Sequence, residues 1–398
     1  MAKINTNYNK LSPSYVFSEI GKRVKVFSEE NPGIEILKLG VGNTTEALTP
    51  TVVKGLLEGV KKLSNIKTYN GYGDEQGDTR LRKALAGLYK KRGISLLPEE
   101  IFISDGAKPD CANISSIFDE SSIVAIADPV YPVYVDSNVI AGKKLVYIEC
   151  TEENNFIPSP PEEKADLIFI CSPNNPTGSV VTKKQLKAFV DYALKNKAVI
   201  VFDGAYVEYI TDKSLPKSIY EIPGSKKCAI EINSFSKWAG FTGVRLGWTV
   251  VPMDLTLEGA GRGKINSLWN RRQTTMFNGA SNIAQEGGLA VLSDKGQKEC
   301  KKLVDYYMNN AKIIKSGLSK MGLKVFGGDN APYIWLKVPN NLSSWEFFDK
   351  LLLEAHVVGT PGSAFGPTGE GYFRLSAFGH KEDIEKAVKS IQKNLKLT

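Results

Sequence analysis

EINSFSKWAGFTGVRLGWTVVP, residues 231–252, sets a lysine among small hydroxyl residues and follows it with Gly240, Gly243 and Arg245. Apolar runs at both ends, Cys228–Ile232 and Leu246–Val251, predict two strands with the lysine in the loop between them. Five similar apolar runs precede them: Ile101–Ser104, Ile123–Ala127, Leu145–Glu149, Leu167–Cys171 and Ala198–Phe202. Helical stretches separate these runs, so the chain reads as α/β, with a large domain built on a mainly parallel, seven-stranded sheet covered by helices. After Ala290 the reading changes to helix 296–321, strand 333–337, helix 344–356, strand 372–376 and helix 381–395. That block is expected to be a smaller α+β domain. The expected division is residues 1–48 as an arm plus part of the small domain, 49–294 as the large domain, and 295–398 as the small one.

The composition excludes several classes. At 398 residues and 42% hydrophobic, the chain can bury a large core. Its longest apolar runs are strand length, far below the roughly 18 residues a membrane span needs. The opening MAKINTNYNK lacks the apolar core of a secretory signal, so a cytoplasmic location is expected. Five scattered cysteines, nowhere paired as CxxC, read as reduced core residues. With only His356 and His380, no metal site and no Ser/His/Asp triad is expected. The net charge of +8 comes from dispersed lysines with no aromatic-basic repeat, which suits small anionic substrates rather than nucleic acid. The arm and its short helix, about residues 15–27, are expected to lie against a second subunit.

In a parallel sheet, ligands gather at the carboxyl ends of the strands. Here those ends carry SDGAK, ADPVYPVY, SPNNPTG, DGAY and NSFSK in turn. Gly106, Ala107 and Lys108 would present backbone N–H groups to a phosphate at a helix start, or Asp105 would simply cap that helix. Ser234, Ser236 and Arg245 add hydroxyls and a guanidinium suited to the same anion. Asp203 closes the apolar strand AVIVF, where a carboxylate is costly unless a cation or strong donor meets it; a turn or capping role is the plainer alternative. A pyridinium nitrogen would be such a partner, and it is the electronic handle a protein uses on pyridoxal phosphate. Tyr206 and Asn175 could donate to a phenolic oxygen, and Tyr131 could stack on a ring. Lys237 is a nucleophile able to bond an aldehyde, although a lysine in a polar loop is often only exposed. These signals occur in one order along the chain, with Asp203 and Lys237 separated by 34 residues (237 − 203). The order raises their combined weight.

Through SPNNPTG, DGAY and SFSKWAGFTGVRLGW the chain resembles the fold type I pyridoxal-phosphate aminotransferases over nearly its whole length. Within them it is similar to the LL-diaminopimelate aminotransferases, through LGVGNTTEALTP, YNGYGDEQG, SDGAKPD, FNGASN and TPGSAFGPTGEGYFRLSAFGH. The resemblance implies that Lys237 links covalently to the cofactor, Asp203 pairs with its ring nitrogen, Tyr206 and Asn175 contact its phenolic oxygen, and Tyr131 stacks on it. It also implies a phosphate held by Ala107, Lys108, Ser234, Ser236 and Arg245, with Tyr72 reaching in from the other subunit of a homodimer. Arg374, in YFRLS, matches the arginine that grips the substrate α-carboxylate. For a substrate with an amino acid at each end, Glu75 of the second subunit is the candidate for the distal ammonium. Tyr15, Lys108 and the second subunit's Asn278 are candidates for the remaining polar groups, and Gly42 leaves room. The implied reaction interconverts LL-2,6-diaminopimelate plus 2-oxoglutarate with tetrahydrodipicolinate plus glutamate, in lysine and peptidoglycan-precursor synthesis. Two rivals stand beside it. Arg271 and Arg272 keep open an aspartate- or aromatic-type aminotransferase, and a cofactor-binding regulator without turnover would need a DNA-binding module that a 40-residue arm is too short to hold.

Overall fold

The computed structural model describes residues 1–11, 16–40 and 42–397, apart from the Phe17 side chain. Strand β1 (Leu37–Lys38) is followed by seven strands that form one sheet: β2 (Ile101–Ser104), β3 (Ile123–Asp128), β4 (Lys144–Glu149), β5 (Leu167–Cys171), β6 (Val199–Asp203), β7 (Ala229–Ser234) and β8 (Gly247–Val250). Their order is β2-β8-β7-β6-β5-β3-β4. Strand β8 runs antiparallel to both neighbours, and the other pairs are parallel. Each matches an expected strand to within two residues. Alternation explains why both faces are dry: Val199 and Val201 enter one core cluster, whereas Ile200 and Phe202 enter the other.

The later strands are β9 (Val325–Gly327), β10 (Tyr333–Lys337), β11 (Val357–Val358), β12 (Thr360–Pro361) and β13 (Tyr372–Ser376). A four-stranded antiparallel sheet has the order β12-β13-β10-β9, while β1 pairs with β11. Strands β10 and β13 agree with the sequence reading. Strands β1, β9, β11 and β12, at two or three residues each, are too short to show a period. Helices Asp294–Ser319, Ser344–Ala355 and Lys381–Asn394 pack on this sheet in a separate core that also takes in Phe27, Leu37 and Leu39. The first of these helices serves both cores, with Cys300 to Met308 on the large one and Ala311 to Leu318 on the small one.

Where the two bodies meet, Phe156 packs edge-on against Phe326 and Tyr372 at 5.0 and 5.2 Å. The Val130 N–H donates to the Phe365 carbonyl at 2.8 Å, and the Thr368 N–H donates to the buried Asp128 carboxylate at 3.2 Å. These contacts hold the 362–369 turns, and with them β13, over the end of β3. The arm makes contacts within its own chain: Asn5 and Asn7 donate to the Ile140 carbonyl at 3.0 and 3.4 Å.

Candidate active site

At the carboxyl end of the large sheet, under β10 and β13, lies a cavity of about 400 Å³. Twelve of the expected residues line it: Gly42, Ala107, Lys108, Tyr131, Asn175, Asp203, Tyr206, Ser234, Ser236, Lys237, Arg245 and Arg374. Asn43, Tyr134, Cys171, Ala205 and Tyr333 complete the lining. Tyr15 lies outside the described residues.

One cluster is shaped for an anion. The antiparallel return of β8 places Gly247 opposite both Ser104 and Ser234, so the lysine loop folds back beside SDGAK. Helix Ala107–Asn113 begins after Gly106, which has a φ of +136° and offers no side-chain cap. Asp105 therefore does not cap it. Glycine is favoured at 106 by this conformation, and Arg245 packs close over it, with Nη2 2.5 Å from where a Cβ would lie. Arg245 Nη1 in turn donates to Ser236 Oγ at 3.3 Å, and Ser234 Oγ to Ser236 Oγ at 2.9 Å. Helix-start amides, two hydroxyls and a guanidinium thus converge, the donor set a phosphate monoester takes.

A second cluster surrounds Asp203, the last residue of β6. Its Oδ2 accepts from the Tyr134 hydroxyl at 2.7 Å and the Cys111 thiol at 3.3 Å, and its Oδ1 accepts from the Ala205 N–H at 2.9 Å. Burial pushes the carboxyl up, against the pull of those three donors. Burial also raises Tyr134 and Cys111, which keeps both protonated and donating. A carboxylate at a cavity wall, held by a phenol, a thiol and an amide rather than a cation, fits a pyridinium N–H.

Lys237 Nζ donates to the Gly42 carbonyl and lies 5.7 Å from the centre of the Phe378 ring. Burial, with smaller contributions from Arg374 and Arg245, pushes its ammonium down to about 8. A neutral amine is therefore within reach near neutral pH, as attack on an aldehyde requires. Gly42 leaves space in a specific sense: a Cβ there would meet the Tyr333 hydroxyl at 2.8 Å. The three arrangements together fit pyridoxal phosphate.

Arg374 is 2% exposed, with its guanidinium carbon 4.6 Å from the Tyr333 ring centre and 4.8 Å from that of Phe365. It donates to Asn175 Oδ1 at 2.7 Å and to the Gly40 carbonyl at 2.6 Å. Because the Asn175 oxygen is engaged by Arg374, its NH2 is the edge left to donate into the cavity. Lys108 Nζ is 5.8 Å from the centre of the Tyr131 ring.

Tyr72, Glu75 and Asn278 are not in this cavity. Tyr72 and Asn278 line a separate opening between residues 69–73 and 277–282, and a Cβ on Gly279 would lie 3.5 Å from the Glu75 Cα. Tyr72 is 89% exposed there. Arg271 and Arg272 sit on helix Lys264–Met276 and do not line the cavity of their own chain. Sequence reading missed Tyr134, Cys111 and Tyr333. Tyr134 follows Tyr131 at helical spacing in VYPVY, the one local signal that could have drawn notice. His380 precedes the last helix, as expected, and all five cysteines are free and buried.

Comparison with known proteins gives a family model, aminotransferase class I and II, that matches residues 34–391. Among solved structures, the L,L-diaminopimelate aminotransferase of Chlamydomonas reinhardtii is 44% identical, with 98% of each chain covered and a TM-score of 0.93. An aromatic aminotransferase from Pyrococcus horikoshii is 27% identical over 94% of this chain and 98% of its own, with a TM-score of 0.81. A Thermus thermophilus aspartate aminotransferase variant, 20% identical with 99% and 100% coverage and a TM-score of 0.86, shares the fold.

Proposed function

The chain belongs to the class I and II aminotransferases, as a pyridoxal-phosphate-dependent transaminase of fold type I, and on that premise we propose that it interconverts LL-2,6-diaminopimelate and 2-oxoglutarate with tetrahydrodipicolinate and glutamate. The observation that carries the reaction class is the meeting of Lys237, Asp203, the anion cluster and Arg374 around one cavity. The substrate reading rests on the 44% identity to the algal enzyme, against 27% to the aromatic one. In this reading Ala107, Lys108, Ser234, Ser236 and Arg245 hold the cofactor phosphate, Asp203 its ring nitrogen, Tyr206 and Asn175 its phenolic oxygen, and Tyr131 its face. Bound there, the cofactor supplies an electron sink conjugated with the substrate amine.

The chain's own residues do the rest. Arg374 clamps the α-carboxylate and so fixes which face of Cα meets Lys237. Lys237 Nζ, once free, would take the Cα proton as base and deliver it as acid to the cofactor's C4′ rather than back to Cα. Hydrolysis would then release the substrate carbons as the oxo acid. From diaminopimelate that product retains an amine, which attacks its own new ketone with loss of water to give the cyclic tetrahydrodipicolinate.

The distal end of the substrate needs groups that one chain holds away from its own cavity. We assign Tyr72, Glu75 and Asn278 to the site of a second copy in a homodimer, with Tyr15 and Lys108 completing it and Gly42 leaving room. An outward apolar stripe supports this: Val53, Leu57 and Val60 recur at helical spacing on helix Pro50–Leu63, beside exposed Ile66 and Tyr69. Leu57→Glu, at a residue 54% exposed, is expected to shift the sedimentation coefficient from dimer to monomer and to abolish most turnover. A monomeric variant with full activity would remove the second-copy residues from the site. Two separate cores support a large and a small domain; the proposed boundary at 295 falls within helix Asp294–Ser319, whose first half packs in the large core. Among the described residues no helix is long and apolar enough to cross a membrane, and we propose a cytoplasmic enzyme, with five free cysteines in support.

The test is a single-turnover mix of the yellow protein with LL-diaminopimelate, meso-diaminopimelate, aspartate and phenylalanine in turn. Loss of the visible band with the LL isomer, and trapping of the cyclic product by o-aminobenzaldehyde, is the expected result. Conversion by aspartate or phenylalanine alone would retain the chemistry and overturn the substrate.

A further inference from the structure

Tyr333, the first residue of β10, touches two parts of the site that belong to different bodies of the fold. Its hydroxyl is 2.7 Å from that of Tyr206, with the rings edge-on at 5.3 Å. Its ring lies against the Arg374 guanidinium at 4.6 Å. Both phenols are buried, Tyr333 at 1% and Tyr206 at 6% exposure, and both line the cavity.

Each phenol has one proton, so in the pair one hydroxyl donates and the other accepts. If Tyr206 donated to Tyr333, it would have no proton left for a ligand in the cavity. The Arg374 cation presses on the Tyr333 ring, which favours Tyr333 as the stronger acid and thus the donor. Burial raises both phenols, so both keep their protons near neutral pH.

We propose that Tyr333 is a positioning residue that donates its hydroxyl proton to Tyr206, so that Tyr206 keeps its own proton for the cofactor's phenolic oxygen. This rests on the cofactor reading given above. An accepted hydrogen bond also polarises the Tyr206 O–H and strengthens its donation. Tyr333 thereby links the residue that grips substrate carboxylate, through one ring and one hydroxyl, to the residue that steadies negative charge on the cofactor oxygen. It acts on the cofactor only through Tyr206.

That last property makes the test sharp. The pH midpoint of the visible absorption band would be measured for the loaded wild type, Tyr333→Phe, Tyr206→Phe and the double variant, with a thermal melt to verify folding. Tyr333→Phe is expected to move the midpoint in the same direction as Tyr206→Phe, by about half a pH unit, the scale of one neutral hydrogen bond. The double variant should match Tyr206→Phe alone. Additive shifts, or no shift in Tyr333→Phe beside a clear one in Tyr206→Phe, would overturn the proposal while leaving the cofactor reading intact. No visible band in loaded wild type would overturn both.

Discussion

Lys237→Ala is expected to lose turnover by about 10⁴-fold or more, the upper range for removing a proton-transferring group, and to lose the visible band of the wild type. The protein should still take up pyridoxal phosphate, because the anion cluster of Ala107, Lys108, Ser234, Ser236 and Arg245 is untouched. The lowered Lys237 ammonium adds a pH signature. In cofactor-free wild type the reactive neutral amine grows as pH rises through about 8, so the rate of band formation on adding cofactor should climb over that range and then level off. In Lys237→Ala no such band forms at any pH. Multiple turnovers near the wild-type rate in the variant would refute the lysine assignment.

Arg374→Ala should leave the cofactor band in place and damage the use of substrate. Truncating a buried charge that grips a carboxylate costs about 2–5 kcal/mol, or roughly 30- to several-thousand-fold in kcat/KM. Arg374→Lys keeps the charge but loses the planar fork, so it is expected to recover only part of that loss. Three neighbours broaden the effect. The Asn175 oxygen loses the donor that fixes its orientation, and the Tyr333 and Phe365 rings lose the cation between them. Steady-state kinetics with LL-diaminopimelate and 2-oxoglutarate separately would check the assignment, because both substrates carry an α-carboxylate and both should suffer. An effect confined to one of them would mean that Arg374 holds something else.

Much of the site was legible before any coordinates because its residues sit at strand ends, and strand ends are marked by a local change from apolar runs to polar, glycine-rich loops. Asp203 and Lys237 each close or follow such a run, and strands β2 to β8 fall within two residues of their expected places. The large-sheet order, with antiparallel β8 inserted between β2 and β7, is a different matter. That insertion brings Arg245 against Gly106, and no periodicity in either segment encodes it.

What the sequence by itself determined is the alternation of strands and helices, the order of the chemical loops, and the residue types able to hold phosphate, pyridinium and aldehyde. Those follow from side-chain period and from residue chemistry, which act over a few neighbours. Only the tertiary structure decided which neutral donors hold Asp203, that Tyr333 joins Tyr206 to Arg374, and that Tyr72 stands exposed outside its own chain's cavity. The Tyr134–Asp203 and Tyr206–Tyr333 contacts join residues 69 and 127 positions apart. Strand order and the docking of the small sheet over the large one create those meetings, and both are set by packing across the whole core.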